Sequence, residues 1–209
     1  MFDPANNHIY EYVNSVTSWT DAFNNSAAKS LAGDSGYLVT ITSADEQNFV
    51  VSNALSRISV GYGFASVWIA ASDSATLYSW YWMAGPETGT QFWQGAGPNG
   101  IYGPPGNAVD GAYSNWRGGR YDAPNQVGGD GQFSPAIYAH MLLSDLGGNF
   151  PVGVWEDDIN TYAAYGPGRP GGNAYVIEYS GTASVPEPTT LVLLTVGLAG
   201  LGFRRRRHA

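Results

Sequence analysis

Cysteine is absent from this 209-residue chain, which rules out thiolate metal sites and a disulfide framework and leaves packing, hydrogen bonds and oxygen ligands. Charge is scarce as well, at 12% of residues, and basic residues are rarest: four of the nine stand together as Arg204 to Arg207. Ahead of that cluster, residues 1–184 carry 16 acids against five bases. A body that acidic has no patch with which to neutralise phosphates, so no nucleic-acid partner is expected. The opening Met1-Phe2-Asp3-Pro4 has neither a charged start nor an apolar run, so no secretory signal peptide is read there. His8, His140 and His208 are scattered, and no Ser, Asp and His spacing makes a triad. No catalytic residue can be named, and an enzyme is not expected.

What is present is turn-formers and apolar surface. Gly 28 and Pro 12 accompany 44% hydrophobic and 14% aromatic residues, enough for one globular domain of ordinary size plus a tail. The most informative stretch is Val154-Trp155-Glu156-Asp157-Asp158. A large ring precedes three carboxylates that cannot all be buried unpaired. Trp155 is expected to point inward and the acids outward, either as a solvated acidic turn or around a hard, oxygen-liking cation such as Ca²⁺.

In chain order, Ile9 to Val13 alternates as a half-buried strand. Ser18 caps a helix through Trp19, Ala22, Phe23, Ala27 and Leu31, with Gly33 as its stop. Tyr37 to Ile41 predicts a strand, and Ser43 with Glu46 forms a capping box for a second helix running towards Ser59. Val67 to Ala71 reads as a buried strand and Leu77 to Trp82 as a strand with one face partly open. Gly85 to Gly131 is a long loop pinned by Phe92, Trp93, Tyr102, Tyr113 and Trp116. Ala136 to Leu142 and Ala174 to Tyr179 supply further strands. The class is α+β. Trp68 and Trp155 belong to the core, whereas Trp80, Trp82, Trp93 and Trp116 could pack inside or stack on sugar rings; His140 is expected to be a hydrogen-bonded core residue.

Seven pieces in this order resemble the C-type lectin-like domain: Ser18-Trp19-Thr20-Asp21-Ala22, Gly36 to Ile41 leading into Glu46 and Phe49, Val67-Trp68-Ile69-Ala70, Tyr113-Ser114-Asn115-Trp116, Ala123-Pro124-Asn125, Trp155-Glu156-Asp157 and Tyr175 to Tyr179. The resemblance implies a C-type lectin-like fold of two helices, short antiparallel sheets and a long ordered loop over residues 9–180, after an amino-terminal remnant at 1–8. It implies possible calcium held by Asn125, Asp130, Glu156 and Asp157, with ligand contacts from Asn115, Asp122, Asn125, Glu156 and Asp157. A glycan or matrix polysaccharide would complete the ion's shell through its hydroxyls. Ala123 departs from the pattern by lacking an oxygen where the loop's first ligand would stand, with Asp122 the available substitute. Glu156 replaces an asparagine and loses an amide donor. The family's cysteines are replaced by residues such as Ser26 and Ile177, which implies a fold held by packing alone.

The tail has a linker at 181–188 carrying Val185-Pro186-Glu187-Pro188, an apolar segment at 189–203 and a basic end at 204–209. Fifteen residues rise roughly 22 Å as a helix against a ~30 Å hydrocarbon core, a marginal single transmembrane helix whose Arg204, Arg205, Arg206 and Arg207 stay cytoplasmic. Together these resemble the PEP-CTERM sorting signal of Gram-negative bacteria. The resemblance implies an exosortase as processing partner, transient anchoring in the inner membrane, and delivery to the cell surface or extracellular matrix. Export without a visible signal peptide makes Met1 a misassigned or truncated start. The expected function is an exported, non-enzymatic binding module for exopolysaccharide; the alternative is a metal-independent structural or adhesion protein that contacts protein partners through the long loop.

Overall fold

The computed structural model describes residues 1–59, 65–96, 105–117, 137–144, 151–158, 160 and 173–180. Its strands are β1 (Phe2–Asp3), β2 (His8–Thr17), β3 (Ser30–Leu31), β4 (Asp34–Ser35), β5 (Tyr37–Leu38), β6 (Ser66–Ser72), β7 (Ser79–Trp82), β8 (Gln91–Gln94), β9 (Asn107–Ala108), β10 (Tyr138–Leu142), β11 (Trp155–Asp158) and β12 (Asn173–Tyr179). Two helices, α1 (Trp19–Ala27) and α2 (Ala44–Ala54), complete the set. Each begins as its serine predicts: Ser18 and Ser43 hold extended backbone, and their hydroxyls accept from the N–H groups of Asp21 and Glu46.

Both helices stop earlier than their apolar spacing predicts. Leu31, expected on the face of α1, is 41% exposed and lies in the β3–β4 hairpin. Ala32 and Gly33 take φ of 54° and 99° between those strands. Two successive residues of positive φ make the tight turn whose twist suits an antiparallel pair, so Gly33 turns a hairpin and does not stop a helix. Beyond α2, Ser59 exchanges hydrogen bonds with Asn14.

Ten strands form one sheet along the path β1-β2-β12-β6-β7-β8-β9, with β5 added to β12 and the pair β10–β11 added to β6. The β12–β6 pairing is parallel, while the other pairs of named strands are antiparallel. Every residue of β6 and of β12 is buried, as continuous apolar strands in the middle of a covered sheet should be. The expected strand from Tyr37 to Ile41 ladders only through Leu38. Val39 donates to the Val176 carbonyl and accepts from the Ala70 N–H, so its backbone bridges β12 and β6 instead of extending along one partner.

The segment read as a loop from Gly85 to Gly131 contains β8 and β9. Its described anchors behave as predicted, since Phe92, Trp93 and Trp116 are buried; Tyr102 falls outside the described residues. Trp80, Trp82, Trp93 and Trp116 are all core side chains, none exposed beyond 8%. Among the rings of this core, Trp155 meets Trp82, Phe92, Tyr113 and Trp116 edge-on at 5.7 to 6.0 Å. Ser26 and Ile177 are fully buried, and Gly36 packs between the Ser26 carbonyl and the Ile177 side chain. Residues 181–209 fall outside the described residues, and among the described ones no helix is long and apolar enough to cross a membrane.

Candidate functional site

Strand β11 is the point on which the long segment is mounted. Gly153 leads into it with φ of 90°, and a side chain there would press on Gln47 and Val51, so the chain turns into the strand at a place where only glycine is unstrained. Gln47 fixes the entry. Its amide donates to the Gly153 carbonyl at 2.7 Å and its oxygen accepts from Trp155 Nε1 at 2.8 Å. Beside β11 runs the strip Asn115 to Arg117: the Trp155 N–H donates to the Asn115 carbonyl, and the Arg117 N–H donates to the Trp155 carbonyl. At the other end the Ile137 N–H donates to the Asp158 carbonyl. Both flanks of residues 118–136 are therefore sewn to one four-residue strand.

Of the residues expected to form the site, Asn115, Glu156 and Asp157 are described and meet at this strand; Asp122, Asn125 and Asp130 lie outside the described residues, as does Pro124. Asn115 directs its amide to the Gly153 carbonyl at 2.8 Å. Glu156 is only partly exposed, and its Oε1 accepts from the Arg117 guanidinium. Burial pushes the Glu156 carboxyl up from its ordinary value, and Arg117 opposes that shift. Behind the pair, His140 Nε2 stands 3.8 Å from Glu156 Oε2. The expected hydrogen-bonded core histidine is buried, but its Nδ1 has no hydrogen-bond partner among the described residues, and burial lowers its pKa, which favours the neutral ring. A calcium shell needs six to eight oxygens. The described donors do not amount to one, because a guanidinium already supplies the positive charge at Glu156 and Asn115 is turned to the backbone.

A second cluster was not visible in the sequence. His8, Glu46 and Glu178 are the group of metal-ligand side chains among the described residues whose polar atoms all lie within 4.8 Å of one another. Glu178 is fully buried and Glu46 nearly so. His8 Nδ1 hydrogen-bonds Glu178 Oε1 at 2.5 Å, so one ring nitrogen is already engaged by an acid. The one available sign was Glu178 standing in an otherwise apolar strand.

Comparison with known proteins gives the class. The fold superposes on the C-type lectin CEL-I from Cucumaria echinata with a TM-score of 0.50 at 19% identity, over 82% of this chain and 89% of that one. The EPNH mutant of CEL-I gives 0.50 at 17% identity, over 82% and 88%. This is the C-type lectin-like fold. Residues 184–207 match the PEP-CTERM protein-sorting motif, so a lectin-like domain here precedes a sorting tail. Halomucin of Haloquadratum walsbyi is 32% identical over 130 residues, 62% of this chain; the match spans about 1% of halomucin's length.

Proposed function

We propose that this chain is an exported, non-enzymatic carbohydrate-binding module whose recognition face is the long segment 85–131 together with β11. Export rests on the sorting motif at 184–207: an exosortase would process the chain near Pro186-Glu187-Pro188 after transient anchoring in the inner membrane of a Gram-negative cell, and release it to the surface or matrix. Carbohydrate recognition rests on the likeness to a C-type lectin. One observation supports the choice of face: the residues flanking 118–136 on both sides are hydrogen-bonded to β11, the strand that carries Glu156 and Asp157. Exopolysaccharide is the ligand that suits a matrix-bound module with an acidic body, since neutral hydroxyls need acceptors and no cationic patch.

A metal-independent mode, whether for sugar or for a protein partner in adhesion, is favoured by the Arg117–Glu156 ion pair. Calcium assistance through Asn125, Asp130, Glu156 and Asp157 would have to displace or share that contact. A glycan array probed with the full-length chain, with calcium and with chelator, separates the readings. Binding in both conditions supports the metal-free lectin; binding with calcium alone supports the ion; no glycan binding in either condition removes the carbohydrate reading and leaves adhesion.

A further inference from the structure

The amino-terminal hairpin is fastened to the domain by side chains that converge on two carboxylates. From β2, His8 Nδ1 meets Glu178 Oε1 at 2.5 Å and Tyr10 Oη donates to Glu46 Oε1 at 2.7 Å. From the turn between β1 and β2, Asn6 Nδ2 lies 2.7 Å from Tyr10 Oη and 3.3 Å from Glu46 Oε1. The remaining oxygens face the domain. Glu178 Oε2 accepts from the Thr40 N–H, and Glu46 Oε2 accepts from the N–H and hydroxyl of Thr42. All four carboxylate oxygens are thus hydrogen-bonded, yet among the described residues no lysine or arginine pairs with either acid. His8 alone can bring a positive charge.

The charged and titratable groups around that ring come from every element packed on it. Glu178 reaches it from β12, Glu46 from α2 and Glu87 from the turn after β7, while Asp3 stands opposite it across β1. Tyr10 and Tyr37 add phenols that burial and the neighbouring carboxylates push well above their ordinary range, so they stay uncharged. Two carboxylates held in a nearly dry site beside one ring able to carry a proton are held more firmly while that ring is charged.

We propose that His8, Glu46 and Glu178 form a proton-operated clasp: the protonated ring holds residues 1–10 against β12 and α2, and loss of its proton to solvent frees that hairpin. Folding raises the His8 pKa, chiefly through the hydrogen bond to Glu178. The clasp is therefore complete below the ordinary histidine value of 6.5 and is lost as pH rises through the folded value. Burial pushes Glu178 in the same direction, so both groups bind protons more tightly in the folded chain. This device does not depend on sugar binding.

Hydrogen exchange of the full-length chain reads the clasp directly. The Tyr10 N–H donates to the Met1 carbonyl across the hairpin, whereas the Ala70 N–H donates to the Val39 carbonyl in the sheet centre. Between about pH 5 and about pH 9 the Tyr10 protection factor is expected to fall, by about tenfold for each pKa unit by which folding raises His8, and to lie below that of Ala70 throughout, because the hairpin opens without the rest of the sheet. His8→Gln should abolish the slope, and Glu46→Gln, which removes one acid and keeps the shape, should move its midpoint to lower pH. A flat wild-type profile, a Tyr10 protection factor equal to that of Ala70, or a wild-type slope surviving in His8→Gln would each overturn the clasp. If His8→Gln does not fold, the Glu46→Gln midpoint decides, and an unmoved midpoint counts against it.

Discussion

At the amino-terminal end His8 stands beside two buried carboxylates that no arginine or lysine reaches among the described residues, whereas on β10 His140 lies buried beside Glu156, which Arg117 already neutralises, with Asp158 also acting on it. The two rings titrate in opposite directions. Hydrogen bonding to Glu178 raises His8, and burial lowers His140 against the pull of Asp158. A hydrogen-bonded acid outweighs burial at the first ring, and burial outweighs the nearby acid at the second. In one region the histidine is the counter-charge; in the other it is a neutral spectator to an ion pair built by someone else.

The largest way to break that contrast is Arg117→Ala. It leaves Glu156 facing a neutral ring in a site where neither partner of the original pair is more than 19% exposed, and should cost about 3 kcal/mol in a urea unfolding curve. Adding Glu156→Leu should restore most of that loss, because two apolar groups need no counter-charge. Recovery in the double variant separates a broken ion pair from a packing defect; no recovery would mean that Arg117 acts through packing alone. Next in size is Gln47→Leu, an uncharged control for the same strand. It strands Trp155 Nε1, from which Gln47 accepts at 2.8 Å, and leaves the Gly153 carbonyl with the Asn115 amide, at a cost of about 2 kcal/mol by the same measurement.

Which parts of this were legible in the sequence follows from range. Ser18 and Ser43 announce their helices because a cap is satisfied within three residues. Trp155 reads as core because a large ring beside acids has one comfortable direction. Glu46 was legible by half: its N–H is taken by the Ser43 hydroxyl as a capping box requires, but its carboxylate goes to the Thr42 N–H and to Tyr10 across 36 residues. Glu178 sits 170 residues from His8, and strand alternation gives no hint that its position is dry until β5 and β2 are seen on either side of it. Arg117 carried no signal at all, since a lone arginine in a glycine-rich stretch looks like any solvated charge. The helix ends were misjudged where local turn chemistry at Ala32 and Gly33 outweighed apolar periodicity.

The two histidines also set two limbs of a pH profile. Because His140 is held neutral, the unfolded chain takes up a proton that the folded chain refuses, and stability falls as pH drops below 6.5 towards the folded value. Because His8 is held charged, stability falls as pH rises above 6.5 through its folded value. Each limb can slope by at most about 1.4 kcal/mol per pH unit per proton, and the His8 limb should be the shallower, since its side chain is 23% exposed and screened. Urea midpoints across pH should show a maximum near neutrality. His140→Gln should flatten the acid limb alone and His8→Gln the alkaline limb alone; a single variant that flattens both would show that the clusters are coupled and end the contrast.

The smallest effect is expected from calcium on the wild-type chain. An ion that binds only the folded state raises the melting temperature in proportion to the logarithm of its concentration over its dissociation constant. With the Arg117 guanidinium on Glu156, millimolar calcium should have to compete with a tethered cation that is always present at high local concentration, and the melting temperature should move by about a degree or less. Arg117→Ser removes that competitor and leaves the carboxylates of β11 to find another cation, so the variant should gain a calcium response that the wild type lacks, and Asp157→Ala in that background should erase it. A wild-type rise of several degrees, lost in Asp157→Ala, would instead mean that the ion and the arginine occupy the strand together and share the Glu156 charge.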